Sequence, residues 1–140
     1  MSKIAVVFWS GTGNTEAMAN AVADAAKNAG AEISVFASGS YDDFSPSDYD
    51  ALAFGCPAMG AEVLEEDEFQ PMYDGIKDKL SGKKVALFGS YGWGDGEWMR
   101  NWEEDIKAAG AVLATDCVMA NDAPDEDALA ACKALGVALV

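Results

Sequence analysis

The sequence contains no histidine, which removes the commonest general base and the commonest metal ligand from the candidate chemistry. Basic residues are also scarce, since 9 Lys and Arg stand against 24 Asp and Glu, for a formal net charge of −15. A chain this acidic is poorly suited to binding nucleic acid or an anionic membrane. The acidic runs, among them EVLEEDEF and DAPDED, are either solvated surface or a docking face for basic partners, and both interpretations stay open.

Long hydrophobic runs and a cysteine framework are missing as well. No apolar run approaches the ~20 residues that a membrane-spanning helix needs, and the early run KIAVVFW is too short for a leader peptide. The 3 cysteines are an odd number without metal-like spacing, which favours a reducing compartment. We therefore expect a soluble cytoplasmic protein without a bound metal, a single domain over residues 1–140, and small buried hydrophobes at Cys117 and Cys132.

Short apolar runs punctuate the chain and predict strands. Ile4–Trp9, Ala51–Phe54 and Val85–Phe88 are nearly uniform apolar runs, as in strands that are buried on both faces of a sheet. Ile33–Phe36 mixes polar and apolar residues and fits an edge strand, and Val112–Ala114 begins the last strand. The connection between the second and third strands shows no clear helix, although a short one would fit.

Four amphipathic segments alternate with these strands and predict helices. Their apolar stripes consist of Met18, Val22, Ala25 and Ala29; Phe69, Met72, Tyr73, Ile76 and Leu80; Trp98, Met99, Trp102 and Ile106; and Leu129, Cys132, Leu135 and Leu139. Alternating strands and helices predict an α/β fold, with a parallel sheet covered by helices on both faces. Because such sheets bind ligands at the carboxyl ends of their strands, we expect the loops after strands one, three, four and five to form one site.

The loop after the first strand, SGTGNT, combines glycines and hydroxyls at the mouth of a helix. It lacks the third glycine of a dinucleotide fingerprint and the lysine of a P-loop. Its backbone amides and the helix N-terminus can still bind an anion without a formal positive charge. Ser10, Thr12, Asn14 and Thr15 add side-chain donors. The alternative interpretation is an ordinary turn with a helix N-cap.

Two further loops supply flat and soft apolar groups. GSYGWGDG places Tyr91 and Trp93 between glycines, where Trp93 is either a lid on the core or a surface on which a flat ligand stacks. GCPAMGAE ends its strand at Pro57, presents Met59 and allows a positive φ at Gly60. Met59 alone would be read as a gap-filling core residue. Beside an anion-binding loop, these groups instead predict a phosphorylated, planar, aromatic ligand.

Together these loops resemble those of the flavodoxins, which are small FMN-containing electron carriers. WSGTGNTE is similar to their FMN phosphate loop, and GCPAMG and LFGSYGWGDGEWM are similar to the two isoalloxazine loops of the short-chain, clostridial-type members. The resemblance covers essentially all 140 residues and implies a three-layer, doubly wound fold with a five-stranded parallel sheet. It also implies the strand order 2-1-3-4-5 that flavodoxins share.

The resemblance implies a function and a chemistry. The chain would bind FMN non-covalently and act as a low-potential one-electron carrier, shuttling between semiquinone and hydroquinone for partner oxidoreductases. It would be a monomer that docks to basic faces of redox partners, without substrate turnover of its own. Met59 and Trp93 would flank the flavin ring, and Glu62 would lie near its N3–H. The Met59–Gly60 peptide would turn its carbonyl toward N5, and Ala61 replaces the polar or acidic residue that relatives often carry before Glu62.

The resemblance assigns cofactor contacts to the three loops and to the region around Asn121. The implied FMN-binding residues are Ser10, Gly11, Thr12, Gly13, Asn14, Thr15, Pro57, Ala58, Met59, Gly60, Glu62, Ser90, Tyr91, Gly92, Trp93, Gly94 and Asn121. Among these, Ser90 and Asn121 would lie near the ring edge or the ribityl chain.

Other functions make different demands on the same topology. A response-regulator receiver needs acidic residues, a phosphoacceptor Asp and a Lys at its strand ends, and this chain offers FWSG, GCPAMG and MANDA instead. A flavin-dependent NAD(P)H reductase would need a further pocket and basic residues for the dinucleotide phosphates. A non-redox phosphate-binding module is the third possibility, which flavin affinity would distinguish from the other two.

Overall fold

The computed structural model describes residues 2–11, 13–37, 39–59, 63–92 and 94–140. Its strands are β1 (Lys3–Phe8), β2 (Glu32–Phe36), β3 (Ala51–Gly55), β4 (Lys84–Tyr91), β5 (Val112–Leu113) and β6 (Val118–Asn121). Its α-helices are α1 (Asn14–Asn28), α2 (Phe69–Ile76), α3 (Glu97–Ala108) and α4 (Glu126–Leu139), and short 3-10 turns occupy Tyr41–Asp43, Pro46–Asp48 and Lys77–Lys79. Within these ranges, no helix is both long enough and apolar enough to cross a membrane.

The strands form one parallel sheet with the order β2-β1-β3-β4-β5, and β6 also pairs with β4. At the centre, Val6 of β1 lies opposite Val35 of β2 and Ala53 of β3. Two short strands share the fifth position, since β5 pairs with the start of β4 and β6 with its end. The predicted strand order is therefore confirmed, whereas the predicted last strand is interrupted between its two halves.

Helices cover both faces of the sheet, and the side chains of the buried strands alternate between two core layers. Ile4 and Val6 point toward the layer that contains α1 and α4, and Ala5 and Val7 point toward the layer that contains α2 and α3. All four side chains are fully buried, which explains the uniformly apolar sequence of β1. β2 pairs only with β1 and leaves Val35 half-exposed, as predicted for an edge strand.

Some boundaries and burial states differ from the sequence predictions. β4 continues to Tyr91 because β6 supplies hydrogen-bond partners to its second half, so Ser90 and Tyr91 are strand residues and not loop residues.

The two cysteines that were expected to be buried differ in their environments. Cys132 is buried as expected. Cys117 is only partly buried, and its thiol donates to the Glu103 carboxylate over 2.9 Å, so it is not the simple buried hydrophobe that was predicted. Desolvation and the neighbouring carboxylate raise the pKa of Cys117 to about 12.

The pairing of β3 with β4 continues beyond the end of β3. The amide of Cys56 donates to the Phe88 carbonyl over 3.2 Å, and the amide of Ala58 donates to the Ser90 carbonyl over 3.0 Å. The carbonyl of Cys56 accepts the indole N–H of Trp98 over 3.0 Å. This carbonyl also lies so close to Gly89 that a Cβ added there would stand 2.2 Å from its oxygen. The chain that leaves β3 is thus held against β4 at a place where only glycine fits.

We predict that Gly89→Ala destabilises the protein by about 1–3 kcal/mol, because the added methyl group meets backbone and not a movable side chain. Gly75→Ala is the matched control, since a Cβ at Gly75 in α2 meets nothing within 4 Å. Alanine should stabilise that helical position by up to about 1 kcal/mol. Urea unfolding of both variants measures the difference. Equal unfolding midpoints for Gly89→Ala and the wild type would contradict the proposed backbone contact.

Candidate functional site

The carboxyl ends of β1, β3, β4 and β6 meet at one edge of the sheet, as parallel topology requires. They surround a pocket of about 240 Å³. Its lining residues are Trp9, Gly11, Asn14, Pro57, Ala58, Met59, Ser90, Tyr91, Gly92 and Asp122. The three loops that the sequence analysis singled out therefore contribute to a single cavity.

The loop after β1 presents amide groups toward this edge of the sheet. Ser10 Oγ accepts the amide of Gly13 over 3.1 Å and the amide of Glu16 over 3.2 Å. The first amides of an α-helix have no partner within the helix. Those of Asn14 and Thr15 find none among the residues that the structure describes. Gly13, and not Ser10, is the N-cap residue of α1, so Ser10 supports the start of the helix from outside it. The two helix amides that have no described partner can bind an anion.

Two hydroxyls beneath the loop form a buried pair. Thr15 Oγ1 and Ser90 Oγ are 3.1 Å apart, and the side chains of both residues are almost completely buried. The amide of Ser90 also donates to Thr15 Oγ1 over 3.4 Å. A single hydrogen bond between two hydroxyls uses one of their two protons, so the pair retains one donor. This pair joins the first turn of α1 to the end of β4.

The loop after β3 is closed by a short antiparallel bridge. The amide of Met59 donates to the Val63 carbonyl over 2.9 Å, and the amide of Val63 donates to the Met59 carbonyl over 3.1 Å. Pro57, Ala58 and Met59 are partly buried and form one wall of the pocket. Because the Met59 carbonyl already has a partner, turning it toward a bound ring would require breaking its bond to Val63.

The last residue of β4, Tyr91, and the first residue of the loop after it, Gly92, both line the pocket. The Tyr91 ring leans on Trp98, with 5.6 Å between ring centroids. Arg100 of α3 holds the following turn, since its guanidinium donates to the Asp95 carbonyl over 2.9 Å and to the Asp95 carboxylate over 3.0 Å. Gly94 is exposed and does not line the pocket.

Several predicted residues lie beside the pocket or outside the described residues. Ser10, Gly13 and Thr15 lie at the start of α1 but are not among the residues that line the cavity. Asn121 is exposed and lines a neighbouring groove between β6 and α4, although its side-chain amide reaches the Tyr91 carbonyl at 3.5 Å. The predictions for Thr12, Gly60, Glu62 and Trp93 fall outside the described residues.

Sequence reasoning missed two lining residues, Trp9 and Asp122. Trp9 directly follows β1, and its indole N–H points to Glu68 Oε1 at 3.4 Å. Asp122 adopts a left-handed conformation with φ of +55° and donates its amide to the Tyr91 carbonyl over 2.7 Å. Asn and Asp tolerate that conformation better than other side chains, which was the available signal in the Asn-Asp pair. Asp122 is the only charged residue in the described lining, so no described cation faces the pocket.

Comparison with known proteins agrees with this geometry. The family model described as Flavodoxin matches residues 6–136. The chain is 46% identical to a flavodoxin from Clostridium beijerinckii over 121 residues, covering 86% of this chain and 88% of that protein. It is 44% identical to a flavodoxin from Megasphaera elsdenii over 137 residues, covering 96% of both proteins.

Among solved structures, the solution structure of two-electron reduced Megasphaera elsdenii flavodoxin superposes with a TM-score of 0.85 at 43% identity, and the match covers 97% of each chain. The predicted resemblance to the short-chain flavodoxins is thereby confirmed. The chain belongs to the flavodoxin family, whose members bind FMN and transfer electrons without turning over a substrate.

Proposed function

We propose that this flavodoxin holds FMN in the pocket at the ends of β1, β3, β4 and β6, and that it carries single electrons at low potential between its one-electron-reduced and two-electron-reduced forms. The observation that carries the proposal is the composition of the pocket. A helix N-terminus with two available amides opens beside walls of Trp9, Met59 and Tyr91, and no described cation lies among them. That combination suits a phosphate attached to a flat apolar ring.

The amides of Asn14 and Thr15 would hold the phosphate, and the hydroxyl of Ser90, which lines the pocket, would be an additional donor. Transfer of a phosphoryl group requires a cation or a metal to stabilise developing charge. A phosphate that only anchors a cofactor has no such requirement. The missing lysine of the loop is therefore consistent with an anchor, and it leaves the field around the ring negative.

The ring would lie between the loops after β3 and β4. Met59 and Tyr91 come from the described walls, and Trp93 and Glu62 are assigned by the family resemblance as a stacking residue and as an acceptor for N3–H. The bound FMN supplies the one-electron chemistry. Because both polar backbone atoms of Met59 are engaged with Val63, we propose that the peptide which changes orientation with redox state is the next one, Gly60–Ala61.

The surrounding charge would set the low potential. The chain carries a formal net charge of −15, and Asp122 lines the pocket itself. Each nearby carboxylate opposes additional negative charge on the ring by about 1 kcal/mol or more, depending on distance and solvent exposure. A second electron would accordingly be held weakly and passed on readily. We further propose that residues 1–140 act as one monomeric, cytoplasmic unit that docks to basic faces of redox partners.

A reductive titration of the purified protein tests the proposal directly. Dithionite added stepwise under anaerobic conditions should first produce the absorbance of one-electron-reduced flavin and then bleach it, because the acidic site disfavours the second electron. A colourless protein without affinity for FMN would favour a phosphate-binding module instead. Rapid oxidation of NAD(P)H by the holoprotein alone would favour the reductase.

We predict that Gly60→Ala lowers the maximal fraction of one-electron-reduced flavin while leaving the affinity for inorganic phosphate nearly unchanged. A peptide that turns can require a positive φ, which glycine adopts at little cost and alanine does not. Gly75→Ala, on the exposed side of α2, is the control substitution. An unaltered one-electron fraction in Gly60→Ala would refute the assignment of the turning peptide.

The proposed docking face predicts a dependence on ionic strength. Electron transfer to a basic redox protein should slow as salt rises, since the Debye length is only about 10 Å at 0.1 M salt and steering is lost. Stopped-flow rates between about 10 mM and 0.5 M salt measure the effect. A rate that does not change across this range would leave the acidic runs as solvated surface only.

A further inference from the structure

We infer that Glu65 is a positioning residue for the flavin, because its buried carboxylate holds the base of the loop formed by residues 56–65 and thereby controls how readily the bound ring accepts its first electron. This inference rests on the proposed function. It concerns a residue outside the pocket, since Glu65 is absent from the described lining. Glu65 belongs to the acidic run EVLEEDEF, which by composition alone is either solvated surface or a docking face.

The 56–65 loop is tied together at two levels. Near its tip, Met59 and Val63 exchange two backbone hydrogen bonds. At its base, the amide of Glu65 donates to the sulfur of Cys56 over 3.3 Å. Only Leu64 separates Val63 from Glu65, and the Leu64 side chain is itself buried. Displacement of Glu65 is therefore transmitted through the buried Leu64 and the two backbone bonds of Val63 to Met59, which forms part of the pocket wall.

The Glu65 carboxylate fixes this base to the start of α2. It accepts three backbone amides: that of Asp67 over 2.9 Å, that of Glu68 over 2.7 Å and that of Phe69 over 2.8 Å. The residue is only 5% exposed, and its own carbonyl accepts the amide of Gln70 over 2.8 Å. α2 has no side-chain cap from its N-cap residue Glu68, so Glu65 supplies the capping acceptor from outside the helix.

These bonds explain why a buried carboxylate is stable here without a described salt bridge. Burial acts to raise the pKa of Glu65, but the amides of Phe69, Glu68 and Asp67 outweigh it, so the pKa lies below its usual value. Amides that donate to an ionised carboxylate form stronger hydrogen bonds than those between neutral groups. The ionised carboxylate of Glu65 therefore binds the 56–65 loop tightly to the start of α2.

The start of α2, to which Glu65 is bonded, is anchored in the hydrophobic core. Phe69 is fully buried and contacts the rings of Tyr41 and Trp102, with centroid distances of 6.1 and 5.6 Å. The phenol of Tyr41 donates to the Phe8 carbonyl of β1 over 2.6 Å. Through Glu65, the 56–65 loop is thus connected to the core layer and to the strand that precedes the phosphate loop.

A charge at this place could also act on the flavin through its field alone, and two substitutions separate the possibilities. Glu65→Asp keeps the charge but shortens the side chain by one methylene, so it cannot reach all three amides. Glu65→Gln removes the charge but keeps one oxygen in place for the amides of Glu68 and Phe69. Glu66→Asp and Glu66→Gln are the matched controls, because Glu66 is the exposed neighbour.

The measurement is the equilibrium constant for forming one-electron-reduced flavin from the oxidised and fully reduced holoprotein, together with both midpoint potentials. We expect Glu65→Asp to lower this constant about tenfold, the scale of a typical coupling between two parts of a protein. Glu65→Gln should lower it less, and both Glu66 variants should leave it unchanged. If Glu65→Asp fails to retain flavin, a lowered constant in Glu65→Gln at unchanged second potential still supports the inference.

Three results would overturn it. If Glu65→Gln raises both potentials alike while Glu65→Asp matches the wild type, Glu65 has a purely electrostatic effect. If both variants unfold at a lower urea concentration yet keep wild-type potentials, the carboxylate is only a helix cap. In either case wild-type FMN binding would stand and the proposed function with it. A wild-type protein that takes up no flavin would overturn the inference and the proposed function together.

Discussion

The site depends on the place where the Cys56 carbonyl, the Trp98 indole and Gly89 meet. The carbonyl accepts the indole N–H, and a Cβ at position 89 would fall 2.2 Å from its oxygen. This contact holds the chain leaving β3 against β4 and directs the 56–65 loop toward the edge of the sheet. It also fixes Trp98 at the start of α3, against which Tyr91 leans. The direction of the loops after β3 and β4 therefore depends on the buried Trp98–Cys56 hydrogen bond and on the close approach of the Cys56 carbonyl to Gly89.

Electrostatics divides the pocket into two parts. Around the start of α1, the structure offers backbone dipoles and hydroxyls without a described cation, and such oriented donors can hold an anion. The other lining residues include aromatic and thioether groups, where the flavin ring is proposed to lie, and Asp122 adds a negative charge. A lysine in the loop after β1 would strengthen phosphate binding but would also favour negative charge on the ring. In the proposed binding mode, the neutral loop would hold the phosphate without stabilising negative charge on the ring.

The sheet and its ligand-binding edge could be predicted from sequence because uniform apolar runs and helical periodicity are local signals. The apolar run Ile4–Trp9 indicates a buried strand without reference to distant residues. The strand order then follows from the family resemblance. The break between β5 and β6 could not be predicted in this way, because it depends on tertiary pairing. β5 pairs with the start of β4, and β6 pairs with its end. The place of Asp122 in the pocket lining could not be predicted for a related reason. Its place in the pocket follows from a left-handed backbone and a bond to Tyr91, and neither has a periodic pattern.

Three acidic residues from similar runs have different structural roles, which the sequence alone does not distinguish. In composition, Glu65, Asp125 and Glu66 are equivalent members of acidic runs. In the structure, Glu66 is exposed, Asp125 caps α4 by accepting the amide of Ala128 over 2.8 Å, and Glu65 is buried beneath three amides. What separates them is the position of unpaired backbone donors, which exists only after the helices have packed. The same carboxylate chemistry therefore serves solvation at Glu66, helix capping at Asp125 and the proposed positioning of the 56–65 loop at Glu65, and the fold determines which role each residue has.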